Sequence, residues 1–133
     1  MTHQRITLIT LGVADLAAAR AFYARLGWVE HGQSQPGIAF FQLHGQALAL
    51  FGRAALGTGA VTLAQNFATT ADVDAAFAAA LTAGATALKA PEAVFWGGYS
   101  GYFADPDGHV WEVAMNPFWP LSPDGTLTLP DAS

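Results

Sequence analysis

A chain of 133 residues, 53% hydrophobic and 11% charged, has the length of one domain and ample apolar surface to fold on its own. The absence of cysteine excludes a disulfide framework, a thiolate nucleophile and a cysteine metal site. Five basic against ten acidic residues, a net charge of −5, argue against a nucleic-acid partner, and no apolar run approaches the ~20 residues that span a bilayer.

The N-terminal stretch MTHQRITLITLGVADL is too short in its apolar part and too β-branched for a signal peptide, so a cytoplasmic protein with no membrane partner is expected. The greasy composition favours a homodimer.

In chain order, 6–13 (ITLITLGV) reads as a strand packed on one face through Ile9, Leu11 and Val13. Residues 15–27 follow as an amphipathic helix with Asp15 as N-cap, Leu16, Ala19, Phe22, Tyr23 and Leu26 as the stripe, and Gly27 as the stop. WVEH (28–31) is expected to form an extra strand. Residues 38–51 read as two strands joined at His44-Gly45-Gln46.

The grammar then restarts. A strand over 60–68 precedes a helix over 71–84 with Val73, Ala76, Phe77, Ala80 and Leu81 buried. Asp15 and Gly27 map onto Asp72 and Gly84 at an offset of 57, whereas HGQALALF maps onto DGHVWEVA at 63. Six extra residues therefore fall around the glycine- and aromatic-rich segment 91–101. Each half is roughly βαβββ, and a unit that cannot bury its own sheet face is expected to pack with its sibling. The expected organisation is a single domain over 1–133, with module one about 5–53, module two about 59–116 and a tail over 117–133.

Two stretches, LGVADLAAARAFYARLGW and GYFADPDGHVWEVAMNP, make the chain resemble the glyoxalase, bleomycin-resistance and extradiol-dioxygenase superfamily, also called vicinal oxygen chelate. The resemblance implies an α+β fold in which two βαβββ modules form a cupped mixed sheet with helices on the outer face and a ligand cavity in the cup. It also implies dimers, and in the enzymes one divalent metal held from the first and last strands of each module.

Carried over residue by residue, the resemblance puts the first ligand seven residues before Asp15, at Leu8, whose side chain has no lone pair; its face-mate Thr10 offers only a hydroxyl. The offset of 57 then gives Gln65, the last strand of module two gives Glu112, and stepping back by 63 gives Ala49. One carboxylate and one neutral amide fall short of the three or four ligands that a tight site needs, so no metal and no cofactor are expected. His3, His31, His44 and His109 lack metal-ligand spacing and read as tail or turn residues.

Alternation in VWEVAM sends Trp111, Val113 and Met115 toward the helices and Glu112 into the cup. There burial would raise its pKa, suiting it to bind a cationic or hydrogen-bonding ligand or to act as a general base. Strand parity leaves two alternatives for the residue opposite it, Gln65 or the pair Thr62 and Asn66. Phe95, Trp96, Tyr99 and Tyr102 surround Gly97, Gly98 and Gly101, and they close over a ligand, cover the core or form a dimer contact. Phe118 and Trp119 anchor the tail, and Asp-Pro-Asp-Gly at 105–108 is a turn by its backbone chemistry alone. The sequence thus points to a small-molecule-binding protein, metal-independent, with a glyoxalase-like lyase or isomerase as the rival reading.

Overall fold

The computed structural model describes residues 4–25, 27–52, 61–106 and 108–131. Module one contains β1 (Leu8–Val13), α1 (Leu16–Arg25), β2 (Ile38–Gln42) and β3 (Ala47–Gly52). Module two contains β4 (Val61–Asn66), α2 (Thr70–Ala83), β5 (Thr86–Ala93), β6 (Tyr99–Ala104) and β7 (Val110–Met115). Among the described residues the strands form one mixed seven-stranded sheet in the order β2-β3-β1-β4-β7-β6-β5.

The repeat is visible in the pairing. β1 runs parallel to β3 as β4 does to β7, and the modules join through the antiparallel β1–β4 pair, which relates them by an approximate two-fold axis. The join is made within one chain.

Both helices begin and end alike. Asp15 Oδ1 accepts from the Ala18 amide at 3.0 Å, and Thr69 Oγ1 accepts from the Asp72 amide at 3.1 Å. At the other end Trp28 N bonds Tyr23 O as Ala85 N bonds Ala80 O, each at 3.0 Å, around glycines with φ of 88° and 116°. This is the same left-handed glycine cap twice.

The helix starts are offset by 54 residues, however, and the glycine stops by 57. α2 is longer, at 14 residues against 10, and extends from Thr69 rather than Asp72. The β3-to-β7 offset of 63 agrees with the ladders, in which Leu8 pairs with Ala47 and Thr62 with Val110. The strand counterpart of Leu8 is therefore Thr62, three residues before Gln65. An odd slip turns every strand side chain to the opposite face.

Ile9, Leu11 and Val13 pack with Leu16, Ala19 and Tyr23 of α1 over buried Ala39, Phe41, Leu48 and Leu50. Val73, Ala76 and Phe77 of α2 cover Val113 with Phe103 and Met115 alongside. Both helices thus lie on one face of the sheet. Phe22, expected in the α1 stripe, is 48% exposed, edge-on to Tyr23; Leu26 lies outside the described residues. Leu81 is also exposed, since α2 turns it past the edge of its core cluster.

The extra strand expected at 28–31 is absent. His31 N bonds Phe40 O at 2.8 Å, but Arg20 holds the segment as a loop by pairing with Glu30 at 3.2 Å and donating to the carbonyls of Gln35 and Ile38. Trp28 turns onto Tyr23 and Phe41 instead of continuing the pleat.

The tail crosses the opposite face. Trp119, Leu127 and Leu129 are buried with Ala47 against Leu8, Phe40 and Leu121, and Trp119 meets Phe40 edge-to-face at 5.2 Å. Gln42 fixes the strap by donating to Leu127 O and accepting from the Leu129 amide. Phe118, expected to share the anchoring, is 63% exposed and lies over Gly97. No helix of the described residues is long and apolar enough to cross a membrane.

Candidate functional site

On the face away from the helices, one row of lateral neighbours runs Ala47, Leu8, Ala64, Glu112, Tyr102, Lys89 through β3, β1, β4, β7, β6 and β5. The tail roofs the module-one end of that row, where Ala47 and Ala49 are fully buried. The module-two end carries its charged and hydroxyl groups.

Glu112 arrives there by the alternation expected of VWEVAM, with Val113 and Met115 under α2 and Trp111 stacked on Phe103 at a 5° interplanar angle. The Tyr102 hydroxyl donates to Glu112 Oε2 at 3.1 Å. Oε1 takes no hydrogen bond from a described residue. Burial pushes the Glu112 carboxyl above its ordinary value, while the Tyr102 hydrogen bond and the Lys89 charge pull the other way. Burial, then the adjacent carboxylate, drive the Tyr102 phenol up as well. Lys89 Nζ lies 5.8 Å from the Tyr102 ring centroid, donates to Ser100 O at 3.3 Å and pairs with Glu92 at 3.6 Å.

The other expected residues divide by face. Thr10 pairs laterally with Ala49 and Thr62, and so shares the Glu112 face. Asn66 shares it too, but its Oδ1 accepts from buried Thr7 at 2.9 Å, which ties β4 to the chain entering β1. Gln65 pairs with Val113 and lies on the helix face, opposite to Glu112, because the longer α2 shifts the alignment by three. Tyr99 pairs with Met115 and donates to Asp74 Oδ1 on α2 at 2.7 Å, so alternation along β6 removes it from the Glu112 face.

Phe95 and Trp96 stand at the tip of the β5–β6 hairpin, beyond Tyr99, which is itself three strand residues or roughly 10 Å from Tyr102. Phe95 is fully exposed and Trp96 folds back over Gly98. Of the expected aromatics, Tyr102 reaches Glu112. Lys89 escaped the sequence reading because β5 shifts register on either side of it, which hides its face from simple alternation.

Against known proteins, a family model described as the glyoxalase/bleomycin resistance protein/dioxygenase superfamily matches residues 5–113. The chain belongs to that superfamily. A glyoxalase-related enzyme from Fulvimarina pelagi is 35% identical over 98% of this chain and 100% of its own, with a TM-score of 0.52. The Mn(II)-bound glyoxalase from Novosphingobium aromaticivorans is 26% identical over 96% of this chain and 42% of its own, with a TM-score of 0.63. An uncharacterized protein of Mycobacterium bovis shares 49% identity over 47 residues, 35% of this chain and 31% of that protein, so the match spans under a third of that relative.

The donor set does not fit the metal that the vicinal oxygen chelate resemblance implies. With the register corrected, the four positions are Leu8, Ala49, Thr62 and Glu112, which supply one carboxylate and one hydroxyl. Ala49 is fully buried, and Gln65, the amide that Thr62 replaces in the corrected register, faces the helices. Among the described residues no group of three His, Asp or Glu side chains could hold an ion. That set lacks the ligand count of a tight divalent site.

Proposed function

We propose that this superfamily member binds a small organic molecule over β4, β7 and β6, with Glu112 as the polar anchor, and that it does so without a metal. The observation that carries the reading is a partly buried carboxylate with one oxygen fixed by Tyr102 and the other taking no hydrogen bond from the described residues, on the cup face beside Ala64. A partly buried acceptor of this kind favours a ligand that brings its own N–H donors, above all a cationic amidine or amine. The acidic chain as a whole would draw such a ligand in. We further propose a homodimer resident in the cytoplasm.

The same carboxyl, with its pKa pushed up by burial, supports a second reading as a general base in a lyase- or isomerase-like reaction. Calorimetry with benzamidine and its neutral isostere benzamide separates the proposals from failure. Benzamidine is expected to bind wild type and to lose roughly tenfold or more in affinity on Glu112→Gln, the scale of a charge-assisted hydrogen bond. Equal binding to both variants would take Glu112 out of the site.

A further inference from the structure

A second cleft, of about 630 Å³, opens where the chain entering β1 meets the ends of β3 and β4, and it uses none of the Glu112 group. Its lining includes Arg5, Gln4, Gln46, Gln65, Phe103 and Trp111. In a chain with ten acidic residues and five basic ones, this wall holds a cation and, among the described residues, no carboxylate. Its volume falls within the range typical of small-molecule sites.

Two features give the cleft a chemistry. The Arg5 Nε is buried and meets no hydrogen-bond acceptor among the described residues, a condition that ordinarily costs a folded chain a desolvation penalty without return. A guanidinium presents its N–H groups as a planar fork that matches a carboxylate edge-on. Beside it, the Phe103 and Trp111 rings stack parallel within 5°, centroids 6.4 Å apart, as the apolar part of the same lining. The glutamine amides add donors that suit a carboxylate oxygen without adding charge. Arg5 also feels the Asp124 carboxylate, but Asp124 is not among the residues of this cleft; the neighbouring cleft of about 220 Å³, which runs beneath the tail, is the one bounded by Asp72.

We infer that this cleft is a binding site for a planar aromatic carboxylate, with Arg5 on the carboxylate and the Phe103–Trp111 wall against the ring. The site gives Gln65 a place in ligand recognition on the opposite side of the sheet from Glu112. It calls for an anion, whereas the Glu112 face calls for a cation, so the two proposals fail separately.

The test is a titration of the full-length, isotope-labelled protein with sodium benzoate, followed by NMR at the Arg5 Nε–H, the Gln65 side-chain amide and the Trp111 indole N–H. Saturable shifts at those three groups are expected, with benzamide and acetate each binding roughly tenfold more weakly, since each lacks one of the two recognised features. Arg5→Gln is expected to abolish the Trp111 shift, and Arg5→Lys, which keeps the charge without the fork, to weaken it. The spectra of both variants report in the same experiment whether the fold is intact. Absence of saturable shifts, acetate binding as tightly as benzoate, or unchanged affinity in a folded Arg5→Lys or Arg5→Gln protein would each overturn the assignment.

Discussion

The Tyr102 hydroxyl and Glu112 Oε2, 3.1 Å apart, belong to residues that face each other directly across the β6–β7 ladder. The bond is therefore set by strand register rather than by loop placement, and it orients the one carboxylate on the cup side of β7. Its energetics can be read from pH dependence.

Glu112 keeps its proton to higher pH in the folded chain than in the unfolded one, because burial outweighs the pull of Tyr102 and Lys89. The folded state then binds more protons from the ordinary carboxylate range up to the raised value, and stability falls as pH climbs through that window. Below the ordinary range the contribution is fully present. Glu112→Gln, which cannot ionise, should flatten this slope; each tenfold difference in proton affinity between the folded and unfolded chains corresponds to about 1.4 kcal/mol. Urea unfolding across the pH range checks it; parallel curves for the two proteins would contradict it.

Tyr102→Phe removes the donor that favours the carboxylate and should carry the Glu112 titration further upward, with a loss of about 1 kcal/mol of stability at neutral pH. Carbon-detected NMR of the Glu112 carboxyl would follow the first effect and denaturant melts the second. A downward shift would mean that the tyrosine acts mainly by burying the acid.

Trp119→Ala should cost about 3–5 kcal/mol, the range for truncating a large buried ring, because Trp119 is 9% exposed and closes the cluster of Ala47, Leu127 and Leu129. Protease cleavage within 120–131 should quicken in the same variant. If the melting curve moves and cleavage does not, the ring supports the sheet without holding the strap.

Gly101→Ala and Gly98→Ala should differ. A Cβ at Gly101 would stand 2.8 Å from Pro91 N and 2.9 Å from Lys89 O, backbone atoms of the paired strand β5 that cannot step aside. A Cβ at Gly98 would meet the Trp96 ring at 2.0 Å, but that ring is 40% exposed and can swing out. We expect about 2–3 kcal/mol for the first and about 1 kcal/mol or less for the second, measured by thermal or chemical unfolding.

Incubation of the purified protein with nickel, zinc, manganese or iron should leave the thermal transition unmoved and no metal retained after desalting. Retention of one equivalent would overturn the argument from Leu8, Ala49, Thr62 and Glu112.

Much of this architecture is legible in the sequence because it is written in short-range chemistry. The Asp15 cap, the glycine stops at 27 and 84 and the alternation around Glu112 each act over a few residues, and each appears as expected. Of the two parities left open on β4, the structure takes the one with Thr62 and Asn66 on the Glu112 face, and the placement of Gln65 there fails for a single reason. The glycine stops superpose the two helices at their ends, but α2 exceeds α1 in length at its start, so an alignment on the stops places the preceding strand three positions out. Thr69 carries the correction, since a threonine three residues ahead of Asp72 is an N-cap signal. Lys89 and the side of the sheet taken by the tail were beyond reach, for one depends on a register shift in β5 and the other on long-range contacts between Gln42 and residues 127–129.

The strap over module one also makes the two halves of the sheet unequal. A chain built from two near-copies about the β1–β4 axis would otherwise offer two equivalent bowls. With Trp119 and Leu127 lodged over Ala47, one bowl holds the protein's own C-terminal segment as a permanent internal occupant. Ala47 and Leu8 therefore answer to the fit of that segment, whereas Glu112 and Tyr102 lie outside it.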